Sequence, residues 1–316
     1  MMFNAKEFVE EKTEELKAVI PAQAIIACSG GVDSTVAAVL VSRAIGSRLL
    51  VIYVDTGMMR KGETESVRKM LTKLKVNFKV VDASVEFFAA LEDVEEPEAK
   101  RKIIGEKFIR VFEREAKSFQ AAYLVQGTIA PDWIESGDQV RDTIKSHHNV
   151  GGLPVDMKLK LVEPLRDLYK DEVRKVARYL GVEVAERQPF PGPALAIRTI
   201  GPVTREGAEV VRDACAIVEE ELEKAAKEGK MEVPWQYFAV LLPVRSVGVQ
   251  GDNRAYGRTV AIRAVQSIDG MSAAYSKVPH EVLETISVRI TNEMKNKVNR
   301  VVYDITNKPP ATIEWE

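Results

Sequence analysis

The sequence holds only two cysteines in 316 residues, Cys28 and Cys215, far apart and in no CxxC pair. That count excludes a disulfide-stapled fold and a zinc ribbon, and leaves two reduced core thiols. There is no apolar run near the roughly 18 residues that a membrane-crossing helix needs, so no membrane partner is expected. The first twenty residues, MMFNAKEFVEEKTEELKAVI, have no apolar secretory core, which makes the cytoplasm the expected location. Nor is there an excess of charge. The chain carries 45 Lys and Arg against 47 Asp and Glu, and the portions on either side of residue 188 are each close to neutral. A protein held mainly by nucleic-acid phosphates carries a basic excess on some domain, so no nucleic-acid partner is expected. With 46% apolar and 29% charged residues, the chain is neither disordered nor collagen-like.

Strand and helix patterns alternate through the first half. An amphipathic helix covers 4–20. Near-continuous apolar runs at 24–29, 48–55, 77–83, 121–128 and 159–164 read as strands, and helical patterns fall at 35–45, 63–74, 97–119 and 168–180. Buried strands alternating with helices predict a doubly wound α/β domain with a five-stranded parallel sheet. Ligands of such sheets sit at the carboxyl ends of the strands. Periodicity fails between Gly127 and Met157, which marks 127–158 as a lid. RQPFPGPALAIRTIGPV, at 187–203, packs Pro189, Pro191, Pro193 and Pro202 together, and the boundary is placed just before it. Domains of 1–186 and 187–316 follow. The second is a smaller α+β domain, with helices at 204–228 and 280–295 and strands near 237–249, 258–267 and 301–305.

The strongest chemical signal is Ser29-Gly30-Gly31-Val32-Asp33-Ser34-Thr35, set between the first strand and its helix. Two glycines permit a tight turn and close approach of a ligand, and the helix amides favour an anion. Ser29, Ser34 and Thr35 add hydroxyl donors. A Walker A loop would need a Lys here, and the dinucleotide fingerprint would need GxGxxG; neither is present. Asp55, at the end of the second strand, stands where a ribose-binding acid would sit. A bare Asp33 carboxylate would repel a pyrophosphate unless a divalent cation bridged the two. Mg²⁺, which takes one or two carboxylates with phosphate oxygens, fits that task.

On these residues the chain resembles the PP-loop ATP pyrophosphatase superfamily, N-type, whose members cleave ATP between its α and β phosphates. Three further stretches narrow the resemblance to the GMP synthetase family, in its separate synthetase subunit: TIKSHHNVGGLP at 143–154, PFPGP at 189–193 and KPPATIEWE at 308–316. The resemblance implies ATP-dependent adenylation of the 2-oxygen of xanthosine monophosphate with release of pyrophosphate. Amination by ammonia then gives GMP and AMP. It also implies an ATP site at Ser29 to Thr35, Val54, Gly57, Gly127 and Thr128, with Asp33 as the Mg²⁺ ligand. Lys145, in the lid, is implied as a cation for the reacting phosphates. Arg60, Phe190, Pro191, Gly192, Gln236, Lys308 and Glu314 match the xanthosine monophosphate site. Similar enzymes commonly have His where Gln188 stands and Gly where Ala194 stands.

The phosphate loop begins at residue 29, which leaves no room before it for a glutamine-hydrolysing domain. A separate glutamine amidotransferase subunit, docking near the loop, or free ammonia is therefore expected. The family also implies a homodimer through the second domain. Another PP-loop enzyme, such as NAD synthetase or a tRNA-thiolating enzyme, and a non-catalytic nucleotide-binding relative are the competing readings. Thiolation is disfavoured by the missing cysteine pair and basic face.

Overall fold

The computed structural model describes residues 3–131, 159–183, 188–250, 252–268 and 270–316. The chain divides into two compact units, and each holds its own sheet.

The first unit comprises Met1–Thr56, Gly62–Ala83 and Gly105–Glu186. It opens with α1 (Ala5–Val19), capped by Asn4, whose side chain accepts from the Lys6 and Glu7 amides. Strands β1 (Ala24–Ala27), β2 (Leu49–Asp55), β3 (Phe78–Asp82), β4 (Tyr123–Val125) and β5 (Lys160–Val162) form one sheet in the order β3-β2-β1-β4-β5, every pair parallel. Leu49 to Val54 of β2 are all buried, whereas Lys160 and Leu161 of the edge strand β5 are exposed. That gradient is what a central and an edge strand of a covered parallel sheet require.

Helix α2 (Val32–Ile45) buries an unbroken run from Thr35 to Val41, as expected of a helix enclosed by its neighbours. Helix α3 (Glu63–Lys73) follows β2. Further on, α6 (Lys170–Leu180) buries only Val173, Val176, Ala177 and Leu180, a single stripe at helical spacing. It ends at Gly181, φ +73°, the left-handed stop that a glycine accommodates. The strand order reverses direction at β1, and the crevice between the carboxyl ends of β1 and β4 is the topological switch point.

The second unit comprises Gly57–Lys61, Ser84–Ile104 and Arg187–Glu316. The first two stretches fall, by sequence pattern, inside the expected N-terminal domain of 1–186. With them the second unit is only slightly shorter than the first. The reason lies in specific bonds. Arg212 donates from Nε to Met59 O at 3.0 Å and from Nη2 to Gly57 O. The fully buried Lys100 donates to Thr199 O at 2.8 Å and to Glu316 Oε2 at 2.5 Å. Helices α4 (Ser84–Ala90) and the start of α5 (Pro97–Ser118) thus belong with C-terminal residues.

In this unit α7 (Arg205–Lys227) is capped by Thr204, which accepts from the Gly207 amide at 3.0 Å. It lies against a mixed four-stranded sheet. The long strands β6 (Gln236–Gln250) and β7 (Asn253–Gln266) pair antiparallel, with a break in register at Leu242/Arg245. Pro243 stands inside that break, where its missing amide costs no ladder bond. Strand β8 (Ala274–Tyr275) pairs antiparallel with β7. After α8 (His280–Glu293), β9 (Val298–Asp304) pairs parallel to β7. α4, β8 and the short 3-10 helix at Ala194–Arg198 leave no mark in the sequence pattern, each being too short to show a period.

Candidate active site

In the first unit the chain leaves β1 through Cys28, whose amide donates to Ile52 O at 2.8 Å. Gly30 follows with φ +83°, and a Cβ built there would stand 2.9 Å from Val67 Cγ2. A side chain at this point is barred both by the backbone and by its neighbour. Gly31 is the N-cap of α2 and has no side chain to occupy the first-turn amides. The start of α2 thus carries no side-chain cap, and the dipole of the helix favours an anion there.

The turn is braced from within. Thr35 donates its amide and its hydroxyl to Gly31 O at 3.1 and 2.7 Å, Ser34 Oγ donates to the same carbonyl at 3.2 Å, and Ser29 Oγ accepts from the Gly31 amide at 3.4 Å. Thr35 is 1% exposed, with its hydroxyl 3.6 Å from Cys28 Sγ. Thr35 therefore shapes the loop from below, while Ser29 is exposed on it. Of the seven loop residues, it is the backbone of Gly30 and Gly31 and the first turn of α2 that present the cradle.

The end of β4 closes on this turn. A Cβ at Gly127 would lie 3.0 Å from Asp33 C and Ser34 N and 3.1 Å from Asp33 O, all backbone atoms, so a larger residue would force strand end and helix apart by a few tenths of an ångström. The strand end rests this closely on the first turn of α2 because residue 127 is glycine. Next to it, the buried Thr128 Oγ1 has no hydrogen-bond partner among the described residues. A buried hydroxyl left unpaired costs about 1–3 kcal/mol, which a bound ligand would recover. Val54 is buried inside β2. Asp55 accepts from Thr64 Oγ1 at 2.6 Å, so it is engaged with α3 at the strand end. Asp33 is half-buried in the first turn of α2. Among the described residues no three His, Cys, Asp or Glu side chains gather as a metal cluster. A donor set built on one carboxylate fits Mg²⁺, which fills its shell with phosphate oxygens and water.

The second unit gathers another cluster. Glu314 accepts from Arg198 twice, Nε to Oε2 at 3.1 Å and Nη2 to Oε1 at 2.8 Å, and Gln236 Nε2 adds a third bond to Oε1 at 2.9 Å. The Arg198 guanidinium lies 4.1 Å from the Phe238 ring centroid and 5.2 Å from that of Phe190. Arg60 lies 4.4 Å from the same Phe190 ring and donates to the carbonyls of Gln188 and Pro189 at 3.0 and 3.3 Å. Gln188 in turn donates to Glu219 Oε1 and accepts from the Tyr237 amide, both at 2.8 Å. Burial pushes the Glu219 carboxyl above its ordinary range, against the pull of Arg60 and Arg198 and with the help of Glu223. Pro191 O accepts from the Ala194 amide at 2.9 Å, and Gly192 is exposed at the tip of that turn. Ala194 holds φ +56°, the left-handed conformation for which glycine is the unstrained residue.

The structure thus brings Arg60, Phe190, Gln236 and Glu314 into one network, with Pro191 and Gly192 on the adjoining turn. Lys308 is elsewhere in the unit, donating to Gly270 O at 2.8 Å. Gly57 belongs to this unit rather than to the loop unit, and a Cβ there would stand 2.7 Å from Ser84 Cβ and Phe88 Cε2. Lys145 and all of the lid beyond Pro131, up to residue 158, lie outside the described residues. Arg198 and Glu219 carry no motif that singles them out in the sequence. The signal for Arg198 is a single charge inside the run ALAIRTI, in which Ala194 to Thr199 are all buried.

Comparison with known proteins matches residues 23–188 to the family described as "Queuosine biosynthesis protein QueC" and residues 220–315 to "GMP synthase C terminal domain". The chain is 60% identical to a GMP synthase (glutamine-hydrolyzing) subunit of Methanopyrus kandleri over 319 residues, covering 100% of both. It is 55% identical to the subunit of the same name from Thermoplasma acidophilum, covering 98% of each. GMP synthase (glutamine-hydrolyzing) of Thermotoga petrophila is 56% identical, over 98% of this chain and 62% of that one. Identity at this level runs along the whole chain, and the chain belongs to the family of these GMP synthase (glutamine-hydrolyzing) subunits.

Proposed function

We infer that this chain is the ATP pyrophosphatase subunit of a GMP synthase, a ligase that uses ATP to form a carbon–nitrogen bond at the 2-position of xanthosine monophosphate. The observation that carries the reading is the contact of Gly127 with the first turn of α2, which has no side-chain cap, beside a Thr128 hydroxyl that is unpaired among the described residues. That arrangement at the switch point suits a triphosphate.

In this reading the α2 amides and the Gly30-Gly31 turn hold the β and γ phosphates in place, and Thr128 meets the nucleotide. Asp33 would hold Mg²⁺, which when bound offsets the negative charge gathering on the departing pyrophosphate. Lys145 would bring a further cation to the phosphates. Gln236 and Glu314, with the turn Phe190-Pro191-Gly192, would bind the xanthine, and Arg60 would hold that turn through the Gln188 and Pro189 carbonyls. Lys308 would meet the 5'-phosphate. The xanthine 2-oxygen attacks the α-phosphorus, pyrophosphate leaves, and ammonia then displaces AMP. An amide-like oxygen is a poor leaving group, and its adenylation makes it a good one. Ammonia would come from a separate glutamine amidotransferase subunit, and two copies of this chain would pair.

The test supplies the purified chain with xanthosine monophosphate, ATP, Mg²⁺ and ammonium. GMP, AMP and pyrophosphate in equal amounts are expected; ADP and phosphate would overturn the reading. Asp33→Ala should lower the rate at least about 100-fold with an unchanged circular dichroism spectrum, since one electrostatic group at the reacting phosphates carries that weight.

A further inference from the structure

Arg198 cannot reach a ligand, because it is fully buried. Its bonds still end on Glu314, whose side chain keeps 16% of its surface open. The two parallel bonds from Nε and Nη2 set the plane of the carboxylate, and Phe238 and Phe190 set the plane of the guanidinium. Such a pair is a poor stabiliser. Apolar residues of similar volume usually serve a buried position as well or better, since both charges must be stripped of water. What the pair provides is geometry: a carboxylate held in one orientation. Among the described residues, Oε1 is filled by Arg198 and Gln236, whereas Oε2 accepts one bond, from Arg198. A carboxylate oxygen can accept two, so Oε2 retains acceptor capacity.

We propose that Arg198 is a positioning residue for the purine, orienting Glu314 so that Oε2 accepts an N–H from the dione ring. The inference rests on the reading above that Glu314 meets the substrate. Lysine would keep the charge at 198 and lose the two-point grip.

The experiment is a double-mutant cycle on the full chain, reading KM for xanthosine monophosphate and for ATP separately, with thermal unfolding as a control on folding. Arg198→Lys should raise KM for xanthosine monophosphate roughly tenfold, the weight of one charge-assisted hydrogen bond, and leave KM for ATP within about twofold. Glu314→Gln should do the same. In the Glu314→Gln background, Arg198→Lys should add less than about twofold, because its effect travels through the carboxylate. Multiplied losses in the double variant, or a parallel rise in KM for ATP, would overturn the proposal. If Glu314→Gln is silent, the reading of Glu314 falls and this proposal with it. If Glu314→Gln is defective and Arg198→Lys is not, only the role of Arg198 falls. Should Arg198→Lys not fold, Arg198→Met combined with Glu314→Gln leaves no unpaired charge. It should match Glu314→Gln alone, and a further loss of xanthosine monophosphate binding would count against the proposal.

Discussion

Gly127 shows how much a missing side chain can decide. A Cβ there would stand 3.0 Å from the carbonyl carbon of Asp33 and the amide nitrogen of Ser34, so a methyl group must shift the end of β4 from the first turn of α2 by a few tenths of an ångström. Gly127→Ala should therefore cost ATP turnover far more than stability. A drop of at least about tenfold in kcat/KM for ATP is expected, since misplacing a reacting group by about 1 Å costs up to about 100-fold. Steady-state kinetics beside a thermal midpoint would check it. Glu219 offers a second residue-scale test. The fold raises its carboxyl pKa, so the fold favours the protonated form. That advantage is complete below the unfolded value of about 4.3 and fades as the pH climbs through the raised value. Glu219→Gln abolishes the ionisation and keeps an acceptor for Gln188. Its thermal midpoint relative to the parent should rise as the pH climbs above about 4. A difference that stays constant with pH would contradict the burial of a charge there.

At the scale of elements, the sequence was legible where periods are long. The apolar strands β1 and β2, the amphipathic α6 and the Gly-Gly turn between β1 and α2 follow from local pattern alone. Membership of a unit did not, because it is set by contacts that no window contains. Lys100 reads as a solvated lysine on an amphipathic helix, yet it is fully buried, and its partners Thr199 and Glu316 lie 99 and 216 residues away. Arg101 reinforces the clasp by donating to Glu316 O at 2.6 Å. Removing the lysine cation would leave the Glu316 side chain, 5% exposed, buried without its ion-pair partner. Lys100→Met should thus destabilise the chain by about 3 kcal/mol, as loss of one partner from a buried pair does. Lys100→Met with Glu316→Gln should recover much of that loss. Urea unfolding of the three chains measures both, and a single variant as stable as the parent would show the clasp to be idle.

For the whole molecule, the feature that neither unit's core explains is the far end of the β6–β7 hairpin. Val247 pairs with Tyr256 and Val249 with Arg254, and Val247, Val249 and Tyr256 are 50%, 76% and 64% exposed. Val244, inside the break in register, is 57% exposed as well. Single exposed apolar side chains are ordinary, but several on adjoining strands of one hairpin mark a surface made to be covered. A second copy of the same hairpin offers an equally apolar partner, and a two-fold axis would cover both at once. This supports the proposed homodimer. Val247 and Val249 lie two apart on β6, on the same face of the strand, so lysines at both would set like charges against each other across such an axis. Val247→Lys with Val249→Lys should convert the dimer to a monomer in sedimentation equilibrium. The unfolding midpoint should drop and become independent of protein concentration. If the double variant sediments as the parent does, the hairpin is not the dimer surface.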